Sequence, residues 1–195
     1  MKIIGITGGI GSGKTLVTKL LEEEGAYIAN TDRIAKELME PGQASYIDVV
    51  EYFGKDILLE DKTIDSNRLS KIVFKDEKKL KILNSLTHPK VLEVVQEEIE
   101  EKRKEGWKYF VIETALMIES GYDTICDQVW YVYAPEKMRR DRLKKSRDYS
   151  DLKIDSIFES QCKDEDFRKR YSIVIENVGD LDYLKEQVES FIEID

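Results

Sequence analysis

The chain has 195 residues, of which 41% are hydrophobic and 36% are charged, and its formal net charge is −9. The length and hydrophobic content suffice for one domain with a sizeable core, whereas the acidic balance argues against a general nucleic-acid binder, which needs a basic face. Two cysteines and one histidine are too few for a disulfide framework or a zinc site, and no apolar run approaches the length of a membrane span.

The N-terminal segment joins a short apolar strand to a glycine-rich loop. Residues 3–6 are rich in isoleucine and predict a buried strand. The run GGIGSGKT from Gly8 to Thr15 is the full phosphate-binding loop pattern. Its glycines let backbone N–H groups turn toward a polyphosphate, and the helix expected to start near Gly13 points its positive end at the same phosphates. We predict that Lys14 reaches the β- and γ-phosphates and that Thr15 holds Mg²⁺.

The next strand, predicted over Ala26–Asn30, delivers a carboxylate. In an open parallel sheet the carboxyl ends of the strands form the ligand edge, and Asp32 follows this strand directly. Two interpretations of Asp32 stay open on position alone. It is either the N-cap of a helix over residues 33–39 or a catalytic group.

Residues 43–106 contain no convincing strand and predict a helical insertion, because no linker flanks them. Apolar spacing predicts one helix closed by Gly54 and another over Arg68–Phe74, capped by residues 65–67. Two further helices are predicted to meet at His88-Pro89. From the residues alone, this single histidine is interpreted as a structural or capping group rather than a catalyst.

The second half of the chain returns to alternating strands and helices. Strands are predicted over Tyr109–Glu113, which ends in a carboxylate, over Gln128–Tyr133, and over Ser172–Glu176. The helix after Pro135 carries the one concentrated group of basic residues in the sequence, which favours an anion-binding lid. Asp180 is predicted to cap the last helix.

Together these elements predict an α/β P-loop kinase fold: a five-stranded parallel sheet with helices on both faces, a helical acceptor-binding insertion and a lid. The whole chain is predicted to form a single domain. Its core covers about residues 1–31, 107–135 and 171–195, the insertion about 32–106, and the lid about 136–170.

Several short motifs occur together in one known family. They are TGGIGSGK from Thr7 to Lys14, TDRIAK from Thr31 to Lys36, Glu40-Pro-Gly42, His88-Pro89, Leu116-Met-Ile-Glu119 and Ile175-Glu-Asn177. Their combination, which extends nearly end to end, resembles dephospho-coenzyme A kinase. The resemblance implies Mg²⁺-dependent transfer of the γ-phosphate of ATP to the ribose 3′-hydroxyl of dephospho-coenzyme A, the last step of coenzyme A synthesis.

The resemblance also implies roles for individual residues. Asp32 matches the acidic residue that acts on the acceptor hydroxyl, so Asp32 and Lys14 are the predicted catalytic residues. The family's usual Asp-x-Pro after the third strand is replaced by Glu113-Thr-Ala115. The predicted nucleotide-binding residues are Gly9, Gly11, Ser12, Gly13, Lys14, Thr15, Leu16, Arg142, Arg147 and Asn177. The predicted acceptor-binding residues are Thr7, Asp32, His88 and Glu113.

The lid departs from the family pattern. A second lid arginine is expected four residues after Arg142, where this chain has Ser146, and Arg147 is its neighbour. Another arginine, usually four residues before Gln161, is Ile157 here. These substitutions leave the predicted reaction unchanged but alter the expected closure of the lid.

The sequence leaves one alternative function open. The alternative is another small nucleotide or metabolite kinase of the P-loop class. A GTPase would carry an Asn-Lys-x-Asp motif, which this sequence lacks, and a motor ATPase would usually end its third strand in Asp.

We expect a small-molecule substrate, no nucleic-acid or membrane partner, and a monomer or weak homo-oligomer. Because the first strand begins almost at Met1, we expect no signal peptide and a cytoplasmic protein with reduced thiols.

Overall fold

The computed structural model describes residues 1–73 and 75–192. Five strands form one sheet in the order β2-β3-β1-β4-β5, and β1 pairs in parallel with β3 and β4, as β4 does with β5. The predicted fold class is confirmed. The strands are β1 (Lys2–Thr7), β2 (Ala26–Asn30), β3 (Tyr109–Glu113), β4 (Gln128–Tyr133) and β5 (Ile173–Glu176).

The helices found among the described residues follow the predicted alternation. They are α1 (Lys14–Glu23), α2 (Thr31–Leu38), α3 (Ala44–Phe53), α4 (Ser66–Val73), α5 (Glu77–Lys104), α6 (Met117–Ser120), α7 (Glu136–Arg147), α8 (Asp151–Ser160), α9 (Asp164–Arg170) and α10 (Leu181–Ile192). Within residues 1–73 and 75–192, none of them is at once long enough and apolar enough to cross a membrane.

The chain divides into two compact units. One comprises Met1–Ala29 together with the chain from Lys102 onward, and the other comprises Asn30–Glu101. The first unit contains the sheet, and the second contains α2, α3, α4 and most of α5. The finer division into core, insertion and lid remains a prediction.

The first unit is built around β1, the central strand of the sheet. A parallel strand covered on both faces is apolar throughout, and Ile3, Ile4 and Ile6 are all buried. Alternate residues of the strands pack with α1 and α10 on one face. On the other face, a Cβ placed on Gly5 would lie 2.6 Å from Met117 Cε. The missing side chain therefore lets α6 pack directly against the sheet.

The second unit has its own small apolar core. Val49, Ile57, Leu69 and Val73 are buried, and partly buried leucines of α5 pack against them. The start of α4 is capped as predicted, because Asp65 Oδ1 accepts hydrogen bonds from the first backbone N–H groups of this helix. Phe74, the last residue predicted for this helix, lies outside the described residues.

One predicted helix boundary is wrong. The sequence predicts a break at His88-Pro89, but α5 continues through this proline. Proline has no N–H to bond the C=O of Ser85, and its ring crowds that oxygen, so it usually ends or kinks a helix. Here both halves of α5 bury apolar side chains, including Val91 and Val95 in the second half. Packing of an amphipathic face outweighs the local cost of the proline.

Because α5 is continuous through Pro89, replacing this proline should stabilise the helix. Pro89→Ala should raise the free energy of unfolding by about 1–2 kcal/mol, because alanine supplies the missing N–H and has the best helix propensity. Urea unfolding followed by circular dichroism measures this change. Gln96→Ala, at an exposed site on the same helix, serves as the control and should stay within about 0.5 kcal/mol of the parent. Lower stability of Pro89→Ala would show that the helix is fitted to its proline.

Candidate active site

The loop between β1 and α1 needs glycine at positions where other residues lie too close to its backbone for a side chain to fit. Gly13 is the N-cap of α1 with a φ of 100°, a left-handed conformation that favours glycine. A Cβ at this position would also overlap Asn177 Nδ2. The backbone N–H groups at the start of α1 have no partner within the helix and form an anion site with the helix dipole.

The Lys14 side chain folds back over the start of the loop. Its ammonium donates a hydrogen bond to the Gly8 carbonyl at 2.7 Å, and it lies 3.4 Å from the Gly9 carbonyl. A phosphate-loop lysine reaches the β- and γ-phosphates. The Gly8–Gly9 part of the loop is therefore the end at which the terminal phosphate would lie.

Glu113 ties the end of β3 to the first turns of α1. Its carboxylate is buried, with 6% of the residue exposed, and it accepts hydrogen bonds from Thr15 Oγ1 at 2.9 Å and from Thr18 Oγ1 at 3.2 Å. Mg²⁺ prefers oxygen ligands, and these residues fit it: the Thr15 hydroxyl would be the ligand and Glu113 its hydrogen-bonded support. Thr18 is not among the residues predicted from the sequence, although its i+3 spacing from Thr15 places both hydroxyls on one helix face.

Two hydroxyl groups next to or within the loop are buried. Thr7 Oγ1 and Ser12 Oγ have no partner among the residues that the structure describes. An unpaired buried hydroxyl costs about 1–3 kcal/mol, so such groups are expected where a ligand binds. Thr7 is one of the predicted acceptor-binding residues, and Ser12 is one of the predicted nucleotide-binding residues.

Asn177 and Arg142 connect the loop to the end of β5. Asn177 Nδ2 donates to the Ser12 carbonyl at 2.7 Å. The Arg142 guanidinium donates to the Gly11 and Ser12 carbonyls at 3.3 and 3.2 Å and to the Asn177 carbonyl at 3.0 Å. Beside them lies a cavity of about 300 Å³, large enough for part of a nucleotide. Its lining residues are Gly13, Leu16, Arg142, Asn177, Gly179, Asp180 and Leu181.

Other basic residues of α7 have different partners. Arg140 bonds to Glu136, Asp151 and Asp155, and the hydrogen bond with Asp155 raises the pKa of its guanidinium. The Arg147 guanidinium lies over the Tyr149 ring, with Cζ 5.9 Å from the ring centroid, and its interaction with the phenol lowers the pKa of Tyr149.

Arg147 thus contacts the nearby Tyr149, whereas Arg142 contacts the loop. Two further residues, which the sequence analysis missed, also lie on the loop: Arg139 against Gly9, and Gln161, which accepts a hydrogen bond from the Ile10 N–H at 2.9 Å.

The second unit contains Asp32 and His88. The N-cap of α2 is Asn30, whose side-chain oxygen accepts from the Arg33 N–H at 2.9 Å. The interpretation of Asp32 as the cap is therefore wrong. Asp32 is exposed in the first turn of this helix. His88 is partly buried within α5, so it does not begin a helix either. The acceptor-site roles of both residues stay predictions.

Comparison with known proteins identifies the family. The family model described as dephospho-CoA kinase matches residues 2–182. The dephospho-CoA kinase of Carboxydothermus hydrogenoformans is 38% identical over 188 residues, which cover 96% of this chain and 91% of that protein.

Solved structures agree. A protein of Thermus thermophilus superposes with a TM-score of 0.86 at 28% identity, covering 100% of this chain and 98% of that one. The dephospho-CoA kinase from Campylobacter jejuni superposes with a TM-score of 0.69 at 25% identity, covering 99% and 96%. With a complete phosphate-binding loop and a family match over nearly its whole length, the chain belongs to the dephospho-CoA kinase family.

Proposed function

We propose that this protein transfers the γ-phosphate of ATP to the ribose 3′-hydroxyl of dephospho-coenzyme A, giving coenzyme A and ADP, the final step of coenzyme A biosynthesis. The family match over residues 2–182 carries the proposal for the acceptor. The anchored loop, in which Lys14 and Thr15 each have a defined partner, supports nucleotide binding.

The nucleotide site uses the loop and its neighbours. Loop N–H groups and Lys14 hold the phosphates, and the cavity lined by Leu16 and Asn177 takes the base. Thr15 would hold Mg²⁺, and Glu113 would keep the Thr15 hydroxyl oriented. When bound, Mg²⁺ neutralises charge on the phosphate oxygens.

The acceptor site is assigned to the insertion at about residues 32–106, and Thr7 contributes from the end of β1. Asp32 orients the 3′-hydroxyl and accepts its proton, while His88 helps to bind the acceptor. Residues of about 136–170 form the lid over the phosphates. Most of the rate is expected from positioning and charge neutralisation rather than from proton transfer.

The setting proposed for the enzyme is the cytoplasm. We propose that Cys126 and Cys162 stay reduced in this compartment. The net charge of −9 supports a small-molecule substrate without a nucleic-acid partner. We propose no membrane partner and a monomer or weak homo-oligomer.

The acceptor can be tested directly. With ATP and Mg²⁺, ADP release should depend on dephospho-coenzyme A, and the product should carry its new phosphate on the 3′-oxygen. The 3′-deoxy analogue should bind without reacting, because it lacks the nucleophile. A coupled ADP assay over dephospho-coenzyme A, its analogue, adenosine, nucleoside monophosphates and shikimate makes the comparison. Faster turnover of any other acceptor would favour the alternative, another small nucleotide or metabolite kinase.

The cap at Asn30 sharpens the test of Asp32. Asp32→Asn should keep near-native stability, because it loses only a first-turn interaction with the helix dipole of about 0.3–1 kcal/mol. Turnover at saturating substrates should fall about a hundredfold or more, because an amide cannot accept the proton. Glu77→Gln, an acidic first-turn residue of α5, is the matched control and should keep full activity. Full activity in Asp32→Asn would leave the reaction without this base.

Glu113 should control the demand for Mg²⁺. Glu113→Gln can still hydrogen-bond both threonines but loses the negative charge, so the Mg²⁺ concentration for half-maximal rate should rise about tenfold or more. Thr18→Val keeps the carboxylate and its bond to Thr15, and should shift that concentration less. Titrating Mg²⁺ at saturating ATP measures both. An unchanged Mg²⁺ dependence in Glu113→Gln would make Glu113 purely structural.

A further inference from the structure

Arg139 lies on the phosphate-binding loop, although no motif marks it. Its Nη1 sits so close to Gly9 that a Cβ on this glycine would overlap it. The same Cβ would lie 3.4 Å from Gln161 Oε1, which accepts the Ile10 N–H. Two side chains from the lid segment therefore cover the Gly9–Ile10 part of the loop.

Among the described residues, no carboxylate forms an ion pair with Arg139. None of the ion pairs within residues 1–73 and 75–192 includes it, and its buried Nε has no hydrogen-bond partner among these residues. The guanidinium instead lies over the Phe158 ring, with Cζ 4.4 Å from the ring centroid. A cation–π contact fixes the side chain without consuming its hydrogen-bond donors. Arg140, the next residue, is bound by three carboxylates.

The position of Arg139 identifies which phosphate it would meet. The Lys14 ammonium bonds to Gly8 and lies near Gly9, and this lysine reaches the β- and γ-phosphates. Arg139 is next to the same Gly9. Arg142 lies instead on the Gly11 and Ser12 carbonyls, beside the cavity assigned to the base.

We infer that Arg139 is the lid cation that contacts the transferred phosphoryl group. The inference rests on the proposed kinase function. Arg139, Arg142 and Ser146 are spaced i, i+3 and i+7, so they share one face of α7. The charge that the family pattern places at position 146 is supplied here two helical turns earlier on the same face.

A guanidinium suits this task. It keeps its proton throughout and can donate two parallel hydrogen bonds to phosphate oxygens. In the transfer, the acceptor 3′-oxygen forms its bond to the γ-phosphorus as the bond from phosphorus to the leaving ADP oxygen breaks. The hydroxyl proton passes to Asp32. Arg139 stabilises the charge on the phosphoryl oxygens while they move.

Arg139→Gln tests the inference against Lys145→Gln, which removes one positive charge from an exposed site on the same helix. Arg139→Gln should lower kcat about 100-fold, while the Kd for ADP, which has no γ-phosphate, stays within about threefold. Lys145→Gln should change neither. Arg139→Lys should retain part of the rate, because it keeps the charge without the planar fork.

A structural role of Arg139 makes a different prediction. Phe158→Leu removes the ring under the guanidinium but keeps the arginine. If Arg139 only holds the lid together, Phe158→Leu should reproduce the loss in kcat, and guanidinium ion should not rescue Arg139→Ala. If Arg139 contacts the phosphoryl group, millimolar guanidinium should restore part of the Arg139→Ala rate, and Phe158→Leu should lose less.

The inference is overturned by kcat of Arg139→Gln within about threefold of the parent, by an equal loss of ADP affinity, or by equal damage from Phe158→Leu. Failure of the proposed function appears separately. The parent protein would then show no phosphorylation of dephospho-coenzyme A in the same assay, before any variant is compared.

Discussion

Binding a polyphosphate is the constraint on which the rest of this structure depends, because the chain itself has a net charge of −9. Such a protein attracts an anion only where N–H groups and a few cations converge. The loop after β1 creates that point: Gly13 admits the turn into α1, and Asn177 fills the space that a side chain at Gly13 would occupy. The parallel sheet places the carboxyl ends of its strands at one edge, so Glu113 reaches the loop from β3, which is adjacent to β1, and Asn177 reaches it from the end of β5, two strands from β1.

A buried carboxylate next to a phosphate-binding site is unfavourable unless hydrogen bonds or a cation compensate its charge. Glu113 uses both oxygens to accept threonine hydroxyls, which compensates part of the cost of burying the charge. The remaining negative charge favours a cation at the Thr15 hydroxyl. Charge compensation also differs between two arginines of α7. Arg140 forms ion pairs with acidic partners and joins α7 to α8, whereas Arg139 is the arginine proposed to bind the ligand.

Sequence reasoning succeeded where one local pattern determines the structure. Apolar β-branched runs located β3 and β4 with their observed boundaries, and the loop motif predicted the start of α1 near Gly13. It failed where tertiary contacts decide. Burial of both halves of α5 overrides Pro89. The cap of α2 was misassigned for a local reason, because the Asn30 side chain reaches the Arg33 N–H three residues further on. Arg139 carries no local signal. The packing of α7 against the loop places Arg139 at Gly9, and this position distinguishes it from the other basic residues of this helix.

The assignment of the cap to Asn30 has a further consequence for the chemistry. A side-chain oxygen that caps a helix is occupied by a backbone N–H and is less available to a ligand. Asn30 accepts the Arg33 N–H, so the oxygens of Asp32 are not needed to start α2. In the mechanism proposed above, the Asp32 carboxylate accepts the proton of the acceptor hydroxyl. Under that proposal, helix capping and proton transfer belong to separate residues two positions apart.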